Sequence, residues 1–299
     1  MHVFVTGASG WVGTAVVADL IAAGHTATGL VRSDHAASAL AQSGGTVLRG
    51  TLDDLDVLTH GATTAEAVVH LANKHDWANP AEMNRAERAA VQALGDALVG
   101  TGRPLLIASA VAGVTPGALT SETDPSPAEG PESMRGGSEN LALSYADRGV
   151  RALAARFAPS VHGHGDGRGF VGGLVRAMRT RGVSGFIGDG RQAWSAVGVA
   201  DTARLIRLGI ERAPAGTRLH AVAEEGIETR VIAQALALHF GVPTATVTPA
   251  EALAHFGPVG RFFGQDIRAS SALTRDLLGW TPTAPTLLED IAAGCYDAI

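Results

Sequence analysis

The chain has 299 residues and a formal net charge of −6, with 46% hydrophobic and 17% charged residues. That length accommodates one large α/β unit or two lobes, and the acidic balance excludes a nucleic-acid surface built on clustered Lys and Arg. No apolar run reaches the ~18–20 residues that span a bilayer, and the single cysteine, Cys295, excludes an internal disulfide or a cysteine metal cluster. No basic leader precedes the first apolar segment, so a cytoplasmic location is expected. The expected partner is a small-molecule substrate, with a homodimer as the one protein assembly in view; no metal, nucleic acid or membrane is expected.

In chain order, residues 2–6 form a β-branched strand that runs into Gly7-Ala8-Ser9-Gly10-Trp11-Val12-Gly13 and a helix over 11–23. Glycines at this G-x-x-G-x-x-G spacing, between strand and helix, predict a phosphate cradle. The chain turns on residues without Cβ, and the helix offers free N–H groups and the positive end of its dipole to a diphosphate. The pattern then alternates. Strands are predicted over 26–31, 46–49, 67–72, 104–109 and 151–157. Helices are predicted over 36–42, after 53–54, over 81–99 and over 138–148. Such alternation gives a parallel sheet covered on both faces.

Residues 116–137, rich in Pro, Gly, Ser and Glu, read as a loop. Beyond Pro159 come a glycine-rich turn at 163–169, a helix over 170–181 and short strands over 183–187 and 194–199. A helix over 201–213, one more main-sheet strand over 217–223 and a helix over 229–240 follow. The predicted fold is α/β: a Rossmann-type doubly wound parallel sheet from residues 1–160, to which about 201–224 return. Residues 161–200 and 225–299 form a smaller C-terminal substrate lobe. Lys74 is the one lysine among 23 basic residues. With Ala and Gly also in excess, this suggests a GC-rich bacterial genome, in which a retained lysine is either needed as an amine or left by chance.

Four segments carry a family resemblance: Thr6-Gly7-Ala8-Ser9-Gly10-Trp11-Val12-Gly13, Val68-Val69-His70-Leu71-Ala72, Arg156-Phe157-Ala158-Pro159-Ser160-Val161-His162-Gly163 and Leu278-Gly279-Trp280-Thr281-Pro282. In this order, over essentially the whole chain, they resemble an extended or atypical short-chain dehydrogenase/reductase of the NAD-dependent epimerase/dehydratase kind. The resemblance implies a nicotinamide cofactor held by Gly7, Ser9, Gly10, Trp11, Val12, Gly13, Leu52, Leu71, Ala72, Asn73, Ser109 and Ala158. Charge selects NADP(H): the second strand ends Val31-Arg32-Ser33, where NAD-preferring relatives carry a carboxylate. Arg32 and Ser33 suit a 2′-phosphate, unless Arg32 is only a solvated surface residue. Gly50-Thr51-Leu52 stands where relatives usually read Gly-Asp-Leu, which weakens one contact near the adenine.

The family's proton chemistry implies a Tyr with a Lys four residues later on one helix face, and a Ser beside them. Neither Tyr145 nor Tyr296 is followed by such a lysine. The slot falls on Met134-Arg135-Gly136-Gly137-Ser138, so Met134 stands for the Tyr and Ser138 for the Lys, leaving Ser109 as the remaining hydroxyl. The loop Asn73-Lys74-His75-Asp76-Trp77 follows the fourth strand, at the sheet end where ligands bind in this fold. Lys74 as an oxyanion partner or proton donor, His75 as a titratable imidazole and Asp76 as their orienter are the candidate replacements. A solvated loop, with Asp76 capping the next helix, is the competing reading. Trp77, Met134, Tyr145, His162 and Trp194 are candidate substrate contacts, although Tyr145 reads more simply as a packed helix residue. Phe170, His255, Phe256, Phe262 and Phe263 offer an apolar wall in the lobe.

The leading expectation is therefore an NADP(H)-dependent oxidoreductase acting on a hydrophobic carbonyl or imine with a non-standard proton donor. A non-redox cyclase, dehydratase or isomerase, and an NADP(H)-sensing regulatory protein, are the alternatives.

Overall fold

The computed structural model describes residues 1–76 and 78–299. Seven strands form the central sheet: β1 (His2–Thr6), β2 (Thr26–Val31), β3 (Thr46–Arg49), β4 (Ala67–His70), β5 (Pro104–Ala110), β6 (Arg151–Phe157) and the strand Thr217–Ala221. From one edge they run β3-β2-β1-β4-β5-β6 and then Thr217–Ala221, every pair parallel. The chain winds outward from β1 to β3 and returns to β4 on the other side of β1. That reversal opens a crevice at the carboxyl ends of β1 and β4, where ligands bind in such sheets.

Both faces are covered because the strands are apolar on both sides, as a buried parallel sheet requires. The helices are α1 (Trp11–Ala22), α2 (Asp34–Gln42), α3 (Leu55–Thr64), α4 (Pro80–Leu98) and α5 (Ser138–Ser144). Phe4, Val68, Leu105, Ile107 and Ala152 pack with α3, α4 and α5 on one face. Val3, Val5, Val69, Leu106 and Leu153 pack with α1, α2 and the helix Val199–Arg212 on the other. β4 stops two residues before its predicted end, since the amides of Leu71 and Ala72 turn to the Thr6 hydroxyl, each at 3.2 Å. The helix predicted over 138–148 breaks at Ser144 and continues as a 3₁₀ turn.

The remaining strands form a three-stranded sheet, Glu224–Glu228, Ala193–Gly198 and Ser160–His162, and a parallel pair, Ser184–Ile187 with Thr244–Val247. Ser160–His162, Glu224–Glu228 and Thr244–Val247 were not predicted; they are too short or too polar to give a period-two apolar run. The closing Trp280-Thr281-Pro282 motif is a clasp on the helix Val199–Arg212. Its indole donates to the Asp201 carbonyl at 3.0 Å, and the Asp201 carboxylate accepts from the amides of Thr283 and Ala284 at 2.9 and 2.8 Å. Among the described residues no helix is long and apolar enough to cross a membrane.

Candidate functional site

The cradle after β1 is built by close backbone approach. Gly7 has φ +68°, and a Cβ there would lie 2.8 Å from the Ala72 amide nitrogen; a Cβ on Gly13 would lie 2.0 Å from the Gly7 carbonyl oxygen. The two glycines thus seat the turn against both α1 and the loop after β4. Gly10 caps α1 without a side-chain hydrogen bond, and the first turn holds no acid. A Cβ on Gly10 would meet only the Gly7 oxygen, at 3.2 Å, so the space before the helix is open. Exposed amides at a helix N-terminus, reached over Ser9 and Gly10, fit a dinucleotide diphosphate. Trp11 contributes its amide to this end, while its indole donates to the Val161 carbonyl at 2.8 Å and ties α1 to the strand Ser160–His162. Val12 follows in the first turn. Ala158 is buried at the end of β6.

At the far end of β2, Arg32 is exposed and makes no hydrogen bond or ion pair with a described residue. Ser33 caps α2, its hydroxyl oxygen accepting from the Ala36 amide at 3.2 Å. Asp34, the one acid beside Arg32, is paired with Arg49 from the end of β3, which leaves the Arg32 charge uncompensated. Leu52 is buried below the same edge.

Lys74 lies between Asp53 Oδ1 at 2.8 Å and Glu82 Oε1 at 2.9 Å. It joins the loop after β4 to the loop after β3 and to α4. Hydrogen bonds to Asp53 and Glu82 raise its pKa above the ordinary lysine value. Two carboxylates thus hold Lys74 as an ammonium and disfavour release of its proton. Asp76 accepts from the Ala78 amide at 3.2 Å and from Asn79 Nδ2 at 2.8 Å, just ahead of α4. It closes the turn that starts the helix. Trp77 lies outside the described residues.

A buried polar cluster adjoins this loop. Glu87, on the inner face of α4, accepts from Asn73 Nδ2 at 3.0 Å and from Arg135 Nη2 at 2.6 Å, with His70 Nε2 4.0 Å away. Burial opposes ionisation of Glu87, but Arg135, His70 and Asn73 outweigh it and hold the carboxyl below the ordinary glutamate value. His70 is fully buried; burial lowers its pKa, with Glu87 opposing and Arg135 assisting, and its Nδ1 meets the Thr6 hydroxyl at 2.8 Å. The Asn73 carboxamide oxygen accepts from the His75 amide at 2.8 Å. His75 and Arg135 are the two non-glycine residues with positive φ among those described, at 51° and 55°. His75 is exposed to solvent on one side; the packing on its other side and then the Arg135 charge lower its pKa, while Glu87 acts the other way. Two strained residues of different loops thus meet at one cluster, as strain at a site would have it.

Ser109, at the end of β5, donates to Glu139 Oε2 at 2.6 Å. Glu139 also binds Arg156 Nη2 at 2.6 Å and Arg218 Nε at 3.0 Å. Burial works against its charge, and these partners together keep its pKa below the ordinary value. Met134, half exposed, lines the same cleft as Ser109, Arg135 and Glu139. The void among them is about 30 Å³, room for about one water.

Three expected substrate contacts are corrected. Tyr145 packs under α4, where a Cβ on Gly95 would lie 2.5 Å from its ring, and its hydroxyl donates to Asp96 Oδ1 at 2.9 Å. Burial and the Asp96 charge push its pKa up to about 12. His162 is buried with Nδ1 2.6 Å from Asp290 Oδ2, a bond between the strand Ser160–His162 and the C-terminal helix Leu287–Ala292. Trp194 is wholly buried, edge-on to Phe263 at 5.0 Å, and donates to the Phe262 carbonyl. Tyr145 and Trp194 satisfy their polar atoms inside the protein rather than toward the cleft, and His162 does so at Nδ1, its Nε2 being buried without a hydrogen-bond partner among the described residues.

Glu87 and Arg135 were not among the predicted site residues. Helical spacing places Glu87 in the apolar row Met83, Ala86, Ala90, Val91 and Leu94 of α4, and a carboxylate there needs a buried partner. The Gly136-Gly137 pair after Arg135 signals a left-handed turn rather than a helix start.

Comparison with known proteins gives a consistent result. The model of the NAD dependent epimerase/dehydratase family matches residues 3–222. An uncharacterized protein of Schizosaccharomyces pombe is 40% identical over 99% of this chain and 100% of its own length. A 4-hydroxy-2-methyl-3-oxo-4-farnesyl-3,4-dihydroquinoline-1-oxide ketoreductase of Stigmatella aurantiaca is 27% identical over 72% of this chain and 66% of its own. Among solved structures, MoeE5 in complex with UDP-glucuronic acid and NAD superposes with a TM-score of 0.73 at 25% identity, covering 98% of this chain and 97% of that one. A full-length yeast relative corrects the inference of a bacterial origin: composition reflects codon usage, and the sequence type is not confined to bacteria.

Proposed function

The chain belongs to the NAD dependent epimerase/dehydratase family, and we propose that it is an NADP(H)-dependent oxidoreductase acting on a small apolar carbonyl or imine compound. One observation carries the reading: the open glycine cradle on α1 packs through Gly7 against the loop after β4, whose Asn73 is tied to the buried Glu87–Arg135 pair. The solved neighbour with NAD and the ketoreductase relative support a redox nicotinamide function.

When bound, the cofactor supplies or accepts hydride. Amides around Gly7, Ser9, Gly10, Trp11, Val12 and Gly13 hold its diphosphate, and Arg32 pairs with the 2′-phosphate. Leu71, Ala72, Asn73, Ser109 and Ala158 shape the nicotinamide end. His75 exchanges a proton with the substrate oxygen or nitrogen, and Arg135 steadies negative charge there without ever losing its own proton. A lowered imidazole pKa keeps His75 neutral at neutral pH, which suits it to accept a proton in the oxidative direction. An iminium substrate needs less acid help than a ketone and fits a site without tyrosine.

The test is deuteride transfer. Incubation with deuterated NADPH and a panel of apolar ketones and cyclic imines is expected to place deuterium on the former carbonyl or imine carbon. Conversion of a panel compound without deuterium and without net change in cofactor would favour cyclase, dehydratase or isomerase chemistry instead.

A further inference from the structure

A groove runs along the C-terminal lobe, between the helix Phe170–Arg181 and the segment 254–262, with room for about 430 Å³. That is within the range of small-molecule sites. Its apolar surface includes Phe170 and Phe262, whose rings lie 5.2 Å apart at 20°, and Phe256. Its charge is one-sided: Arg168, Arg176 and Arg181 line it, and no Asp or Glu does. This is unexpected in a chain of net charge −6, where most arginines near the sheet pair with carboxylates.

Backbone oxygens, which leave the positive charge in place, hold two of the three. Arg176 donates to the Gly167 carbonyl and Arg181 to the Ala254 carbonyl. Arg168 is exposed and makes no hydrogen bond or ion pair with a described residue. The adjacent acids do not pair directly with these arginines, although the Arg176 charge reaches Asp166. Asp166 is buried and accepts from the Gly169 amide at 2.7 Å, and Glu251 accepts from the Thr248 hydroxyl at 2.6 Å.

We propose that this groove is a binding site for a small organic anion, a carboxylate or phosphate carried on an aromatic body. The guanidinium groups take the anionic head, for which their planar fork is shaped, and Phe170, Phe256 and Phe262 take the body. Binding alone tests the proposal, which does not depend on the hydride chemistry proposed above.

Calorimetric titration of the whole protein with phenylacetate, phenyl phosphate, benzyl alcohol and inorganic phosphate tests it. Phenylacetate or phenyl phosphate should bind saturably, at least about tenfold more tightly than benzyl alcohol or inorganic phosphate, and which of the two binds better identifies the head group. Arg168→Met, which disturbs no contact of the fold, should weaken that binding about tenfold. Arg32→Asp, at the cofactor cleft, should leave it unchanged. Affinity of the unaltered protein should fall as salt rises. Equal binding of the neutral and anionic probes, salt-independent binding, parent-like affinity in Arg168→Met or no saturable binding of either aromatic anion would overturn the proposal.

Discussion

Arg135 donates from Nη2 to Glu87 Oε1 at 2.6 Å, joining the left-handed turn before α5 to the buried face of α4. The Glu87 side chain is wholly buried, and its other oxygen takes the Asn73 amide. One carboxylate therefore fixes both the loop after β4 and the turn before α5. Removing one partner of such a pair leaves a buried charge uncompensated, at a cost of about 3–5 kcal/mol. Glu87→Met should lower stability in urea by about that much, and Glu87→Met with Arg135→Met should recover part of the loss.

The same cluster sets the acid limit of the fold. The folded pKa of His70 lies below its unfolded value of about 6.5, and that of Glu87 below about 4.3. Each lowered value gives stability that is complete above the unfolded pKa and is lost as pH falls toward the folded one. Urea midpoints should hold near neutrality, drop below about pH 6.5 as the unfolded state binds the proton that His70 refuses, and drop again below about pH 4.3.

Arg32 is expected to decide cofactor choice. A charge-assisted hydrogen bond to the 2′-phosphate contributes about 1.5–3 kcal/mol. Arg32→Asp should thus lose about tenfold or more in NADPH affinity and gain relative affinity for NADH, as measured by fluorescence titration of both. Equal affinities in the unaltered protein would remove the assignment.

Lys74 should act as a strut. Lys74→Arg keeps the links to Asp53 and Glu82 and should turn over like the parent. Lys74→Met should raise the KM for cofactor by loosening the two loops, with kcat little changed. A large kcat loss in Lys74→Arg would return the lysine to proton transfer.

Tyr145→Phe removes hydrogen bonds to Asp96 and to the Gln92 carbonyl. It should cost about 0.5–1.5 kcal/mol per bond in stability and leave the pH profile of turnover untouched. A shifted profile would place the phenol in the chemistry.

The sheet was legible because its strands are apolar runs separated by amphipathic helices. The cradle was legible because Gly7 and Gly13 admit no Cβ. The lobe was less so: Glu224–Glu228 pairs through its backbone, and its polar side chains give no periodic signal. The cleft was legible only by position. Sequence spacing placed Tyr145 along the helix, but the break at Ser144 and the close approach of Gly95 turn it under α4. Lys74 drew notice as a lone lysine, whereas its carboxylate partners Asp53 and Glu82 come from separate elements that no local pattern joins.

The central claim, that the loop after β4 supplies the proton for hydride transfer, is tested most directly by the rate of NADPH-linked turnover in His75→Asn across pH. General acid–base assistance contributes about 10²–10⁴-fold. In the parent enzyme, alcohol or amine oxidation should rise with pH through the lowered imidazole pKa of His75 and then level, while reduction falls over the same span. The account predicts that His75→Asn loses about a hundredfold in kcat and flattens both limbs, with cofactor affinity retained; parent-like rates and an unchanged pH profile in His75→Asn would contradict it.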